Sequence, residues 1–279
     1  MQQKELAQRQ ARLGPEHPDT GNYREAERMH RQILTILEKR LGGEHTATLT
    51  SMFNLALALE SQGINVEAER IHRQVLQHRE KILGKEHPDS FASMNELALA
   101  FYNLGKYGEA EQLHRHVLQQ REKILGEEHT DTLTSMNNLA LVFESLNKYT
   151  EAEELHLRTL RLRHRIFGEE HPKTLTTMSN LAVLLDSRGS HENAMQLNQE
   201  ILAARKKVLG ETHPDTLISM NNLAIALDNL GEYHQAARLL EDTVALRARV
   251  LGMHHPDTVE SRNTLVAVLE RLRGKEIGF

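Results

Sequence analysis

Leucine or phenylalanine followed by glycine closes a segment at Gly14, Gly42, Gly84, Gly126, Gly168, Gly210 and Gly252. The last six glycines are 42 residues apart without exception, whereas the first interval is 28. A fixed period of this length marks a repeat architecture, in which no unit buries its apolar face alone and stacked neighbours supply the core. The period divides the chain into full units at 43–84, 85–126, 127–168, 169–210 and 211–252. A shortened unit at 15–42 precedes them, a half unit at 253–279 follows, and 1–14 reads as the tail of an earlier unit.

Each full unit reads as two helices. In 127–168 the residues Leu133, Met136, Leu139, Ala140 and Phe143 fall on one helical face. Asn147 then interrupts the pattern where most units carry Gly, the residue favoured just after a helix. A second helix follows through Ala152, Leu155, His156, Leu160, Arg163 and Ile166, and Gly168 stops it. The linking "GxxHP" loop places Pro in the first turn of the next helix, with Asp or Thr expected as its cap. Alanine recurs in the first helices at 56, 98, 140, 182 and 224, and in the second helices at 26, 68, 110, 152, 194 and 236. Close helix crossings need such small side chains. The expected fold is all-α, a right-handed superhelical solenoid of about thirteen helices.

Composition removes several function classes. The net charge of −5 gives no basic footprint for nucleic acid. The absence of cysteine excludes disulfides, thiol nucleophiles and Cys-based zinc sites, and agrees with a reducing, cytoplasmic setting. No apolar run is long enough to span a membrane, and the polar start is not a secretion signal.

The phrases "LGxxHPxT", "NNLA" and "GKYxEAE", with Ala after "NL", resemble the tetratricopeptide repeat. They are most similar to the 42-residue version of kinesin light chains, which also occurs in fungal and bacterial NLR-like (STAND) receptor arrays. Units 85–126 and 127–168 agree at 22 of 42 positions, more than packing demands, which leans toward recent duplication as in the receptor arrays. The resemblance covers nearly the whole chain. It implies a non-catalytic scaffold whose first helices line a concave groove for protein or extended peptide, in a cargo-adaptor or ligand-sensing role. A self-assembling array, or a sensor domain of a larger NLR-like protein, is the competing reading.

Seventeen histidines raise the question of metal or catalytic chemistry. His17, His45, His87, His129, His171, His213 and His255 each occupy a different loop. Neighbouring loops in a stack lie roughly 16–20 Å apart, too far to share a zinc ion bound at about 2 Å. Loop anchoring or helix capping is expected instead. His30, His72, His114 and His156 recur inside second helices and give way to Asn198 and Leu240, so a packing role is expected. No H-E-x-x-H, Walker loop or nucleophile elbow occurs. No enzyme, metal or cofactor is expected.

The groove expectation rests on two asparagine columns: Asn54, Asn138, Asn180 and Asn222, and Asn95, Asn137, Asn221 and Asn263. A carboxamide offers donor and acceptor together, which suits the backbone of an extended peptide. The same amides could instead bond between helices or face solvent. Glu60, Glu144, Asp186 and Asp228 lie about two turns further on, so a neutral or basic ligand is expected. Glu96 and Tyr102 break the columns, and Arg262, Arg271 and Arg273 appear only at the C-terminal end.

The short unit lacks the fourteen residues that elsewhere read "LTSMNNLALVFESL", nearly a whole first helix. The segment 22–41 is therefore a second helix without its own partner. Residues 1–13 offer only Leu6, Ala7, Ala11 and Leu13 as cover. This end is expected either to pack loosely or to be completed by another copy of the chain through Met29, Ile33 and Leu37.

Overall fold

The computed structural model describes residues 18–277. Among them are twelve helices and no strand: α1 (Pro18–Leu41), α2 (Thr46–Glu60), α3 (Asn65–Leu83), α4 (Pro88–Asn103), α5 (Tyr107–Leu125), α6 (Thr130–Ser145), α7 (Tyr149–Phe167), α8 (Pro172–Ser187), α9 (His191–Leu209), α10 (Pro214–Asn229), α11 (Tyr233–Val250) and α12 (Pro256–Ile277). The five full units supply α2 to α11. The segment 1–14 and His17 lie outside the described residues. Packing divides the chain into two units, one ending at Lys148 and the other beginning at Tyr149. Within each, helices joined by short loops pack on their chain neighbours, the arrangement of antiparallel helix hairpins.

The alanine columns sit at the crossings. Ala56, Ala98 and Ala140 in the first unit, and Ala182 and Ala224 in the second, are fully buried. So are Ala68 and Ala110, and Ala152, Ala194 and Ala236, from the facing helices. Leucine, methionine and phenylalanine fill the space around them: Leu55, Leu59, Ile71 and Val75 form one cluster, and Leu217, Met220, Leu240 and Val268 belong to another.

Two turns alternate. After each first helix the chain needs one residue at positive φ. Gly63, Gly105, Gly189 and Gly231 take it at φ 73–79°, and Asn147 takes it at 57°. Asparagine is the side chain best able to replace glycine there. After each second helix a glycine at positive φ leads to a histidine N-cap. Nδ1 of His45, His87, His129, His171, His213 and His255 accepts a hydrogen bond from the backbone N–H two residues on, at 3.1–3.2 Å. This bears out the capping expected of the loop histidines and corrects the Asp or Thr cap read beside it. The hydroxyls bond backward instead. Thr48, Ser90, Thr132, Thr174, Thr216 and Thr258 donate to the carbonyl of the preceding C-cap glycine at 2.7–2.9 Å. Histidine and hydroxyl thus close the loop from both sides.

The N-terminal helix differs from the sequence reading, and the C-terminal helix lies within the half unit read at 253–279. Helix α1 starts at Pro18, earlier than the 22–41 expected. The helix-start signal "HPDT" is joined directly to a second-helix sequence without a turn, so the two run together as one helix. Helix α12 continues to Ile277, the last described residue.

Candidate functional site

The first helices carry the residues singled out for binding. In the first unit, Asn54, Asn137, Asn138 and Glu144 are half-buried, while Asn95 and Glu60 are buried. In the second, Asn222, Asp186 and Asp228 are half-buried, Asn180 and Asn221 are buried, and Asn263 is exposed.

Within both asparagine columns some amides bond to a neighbouring first helix and others do not. Asn95 accepts from Asn138 Nδ2 at 3.1 Å through its Oδ1, and its own Nδ2 donates to Glu96 Oε1 at 3.1 Å. Asn221 Oδ1 accepts from the Ser261 hydroxyl at 2.9 Å. These amides tie neighbouring first helices together. Asn54, Asn222 and Asn263 make no hydrogen bond with other described residues, so their amides remain uncommitted.

The acidic column is similarly divided. Asp186 pairs with His191 Nδ1 at 2.7 Å and with Asn229 Nδ2 at 2.8 Å, and Asp228 pairs with Arg271. Tyr102, which stands in the same column, bonds to Ser145 at 3.1 Å. Four of these links to the next first helix, all but Asn221–Ser261, join a residue to the one 43 positions on. Glu60 lies 3.7 Å from His72 Nε2, and its Oε1 has no hydrogen-bond partner. Burial, reinforced by the Glu60 charge, pushes the Glu96 carboxyl above the usual range, against the opposing pull of its Asn95 bond. Burial thus favours the protonated form of Glu96, while Glu60 has His72 as its basic neighbour.

A second column was not anticipated. Arg79, Arg121, Arg163, Arg205 and Arg247 are 92% buried or more. Each Nη1 donates to the backbone carbonyl ten residues on, at 2.7–3.1 Å, and to the Ser or Thr hydroxyl fourteen residues on, at 2.5–2.9 Å. A guanidinium spreads several donors in one plane, which suits this double contact. The bonds run from the second helix of one repeat to the first helix of the next. Burial lowers the pKa of Arg79 and Arg121, and that of Arg163 to about 10, so the charge survives at neutral pH. The signal was available, since arginine recurs every 42 residues with a hydroxyl fourteen further on.

His72, His114 and His156 are fully buried in the second helices, as a packing role requires, and His30 in α1 is half-buried. Burial, with Arg121 nearby, lowers the His114 pKa to about 4. Among the described residues no three His, Cys, Asp or Glu side chains are placed to hold a metal. No described helix is long and apolar enough to cross a membrane.

Helix pairs repeated at a constant period, with alanine crossings and a polar face on the first helices, define an α-helical repeat solenoid. Tetratricopeptide repeat profiles match residues 19–81, 62–116, 89–163, 143–207 and 216–257. The chain belongs to the tetratricopeptide repeat family. Among solved structures it is similar to a Podosopora anserina protein described as a putative kinesin light chain with nearly identical TPR-like repeats. Identity there is 31%, over 74% of this chain and 97% of that one, with a TM-score of 0.64. BtubC (BKLC) from P. vanneervenii shares the fold at 24% identity over 84% of this chain and 92% of that one, TM-score 0.64. NprR, solved in complex with its cognate peptide NprX, shares it at 15% identity over 89% and 67%, TM-score 0.59. A search of curated proteins gave no match.

Proposed function

We propose that the chain is a non-catalytic scaffold that holds a protein segment in extended form against its first helices. The observation that carries this reading is the uncommitted amides of Asn54 in the first unit and Asn222 in the second, on first helices of units where Asn95 and Asn221 are already bonded between helices. An amide kept out of the helix–helix network is free to meet a peptide backbone with both donor and acceptor. Asn137 and Asn138 stand on the first helices of the first unit, and Asn180 and Asn263 on those of the second. NprR, of the same fold, is a peptide-bound precedent.

The ligand is neutral or basic. Glu60 and Glu144 favour a cationic side chain on the first helices of the first unit, whereas Arg271 offsets Asp228 in the second. Such binding weakens with added salt. A cytoplasmic setting accords with the lack of cysteine. A peptide array tests the reading: enrichment of neutral and basic sequences is expected, and enrichment of acidic sequences would reject it.

A further inference from the structure

The N-terminal helix exposes apolar residues at positions that are core elsewhere. Ile33 occupies the register of Val75, Val117, Thr159, Ile201 and Thr243, all of them fully buried, yet it is 42% exposed. Met29 is 52% exposed where its equivalent Ile71 is 5%, and Ile36 is 54% exposed. The cause is the absent first helix of this unit. The opposite side of α1 is firmly seated: Gln62 Nε2 donates to Glu27 Oε2 at 2.8 Å, and Arg31 Nη2 donates to Glu67 Oε1 at 3.0 Å. The result is a fixed helix with one open face. Leu37, grouped with this face in the sequence reading, is half-buried and holds the register of the buried arginines.

The open face has a self-complementary order. Glu25, Met29, Gln32, Ile33, Ile36 and Arg40 form one stripe, at steps of four, three, one, three and four residues. That order reads the same from either end about a point between Gln32 and Ile33. A second α1 laid antiparallel on the first brings Met29 against Ile36, Gln32 against Ile33 and Glu25 against Arg40, each twice. Acidic residue meets basic residue at both ends, and the helix dipoles oppose. An isologous contact of this kind closes as a dimer. The other open end of the chain does not fit this gap. Helix α12 carries Arg262 where the other first helices have methionine, and Val266, 51% exposed, at the alanine crossing.

We propose that α1 is the interface of a two-fold homodimer, in which an antiparallel copy of the same helix covers Met29, Ile33 and Ile36. Sedimentation equilibrium of the full chain over a range of concentrations tests it, with circular dichroism to check each variant. Wild type shifts from monomer to dimer and no further. Ile33→Glu sets like charges at the two-fold axis and raises the dimer dissociation constant about a hundredfold. Glu25→Arg and Arg40→Glu each raise it about tenfold, and the double variant Glu25→Arg/Arg40→Glu returns it to within about threefold of wild type. A wild type that stays monomeric overturns the proposal. So does open-ended growth with concentration, or a double variant as weak as the singles.

Discussion

Arg121 joins two repeats with one guanidinium, which meets the Asp131 carbonyl and the Ser135 hydroxyl. The first junction lacks this device, because Leu37 stands in the arginine's place. The matching hydroxyl, Ser51 Oγ, is buried and has no hydrogen-bond partner. Leu37→Arg is therefore expected to satisfy Ser51 and stabilise α1 on α2 by about 1 kcal/mol. Hydrogen exchange of amides across α1 measures this, with slower exchange expected. His114 gives a prediction of opposite kind. Its folded pKa, about 4, lies below the ordinary value of 6.5, so the unfolded chain binds its proton more readily. The stability it preserves is present above pH 6.5 and is lost as pH falls toward 4. Leucine occupies the same register at Leu240. His114→Leu should remove a pH dependence on the order of 3 kcal/mol between those limits. Urea unfolding at pH 7.5 and 4.5 checks it: the variant should lose less stability than wild type at the lower pH.

At the scale of the element, each first helix begins with a histidine cap and each preceding helix ends at glycine. His129→Ala removes the acceptor for the Asp131 N–H and should cost about 1 kcal/mol, as N-cap losses do. A small drop in thermal midpoint, with helicity kept, is the expected reading. The helices themselves were legible because their apolar and alanine positions obey both a helical and a 42-residue period. The arginine staples were harder to read. A charged residue at a core register looks like an error until its partners, ten and fourteen residues on, are placed across the junction. Sequence left the cap between histidine and Asp or Thr, because Asp and Thr are the usual cap residues and share the loop with histidine. The two asparagine columns look alike in sequence. Only the register between neighbouring helices, which links residues 43 apart, shows Asn95 to be structural and leaves Asn54 uncommitted.

The whole molecule follows from one hairpin repeated. Each repeat needs its neighbours for its core, and the polar residues of the first helices are divided between holding that stack together and facing outward. Function is assigned to the outward set. The division yields the most direct test of the account: peptide affinity, by titration calorimetry with an array-selected peptide, measured beside folding stability for four single variants. Asn54→Ala and Asn222→Ala should weaken peptide binding by on the order of 1 kcal/mol each with stability unchanged. Asn95→Ala and Asn221→Ala should lower stability, since each leaves a neighbour without its partner. Asn54→Ala and Asn222→Ala proteins that bind peptide as tightly as wild type would contradict the assignment of the peptide to this face.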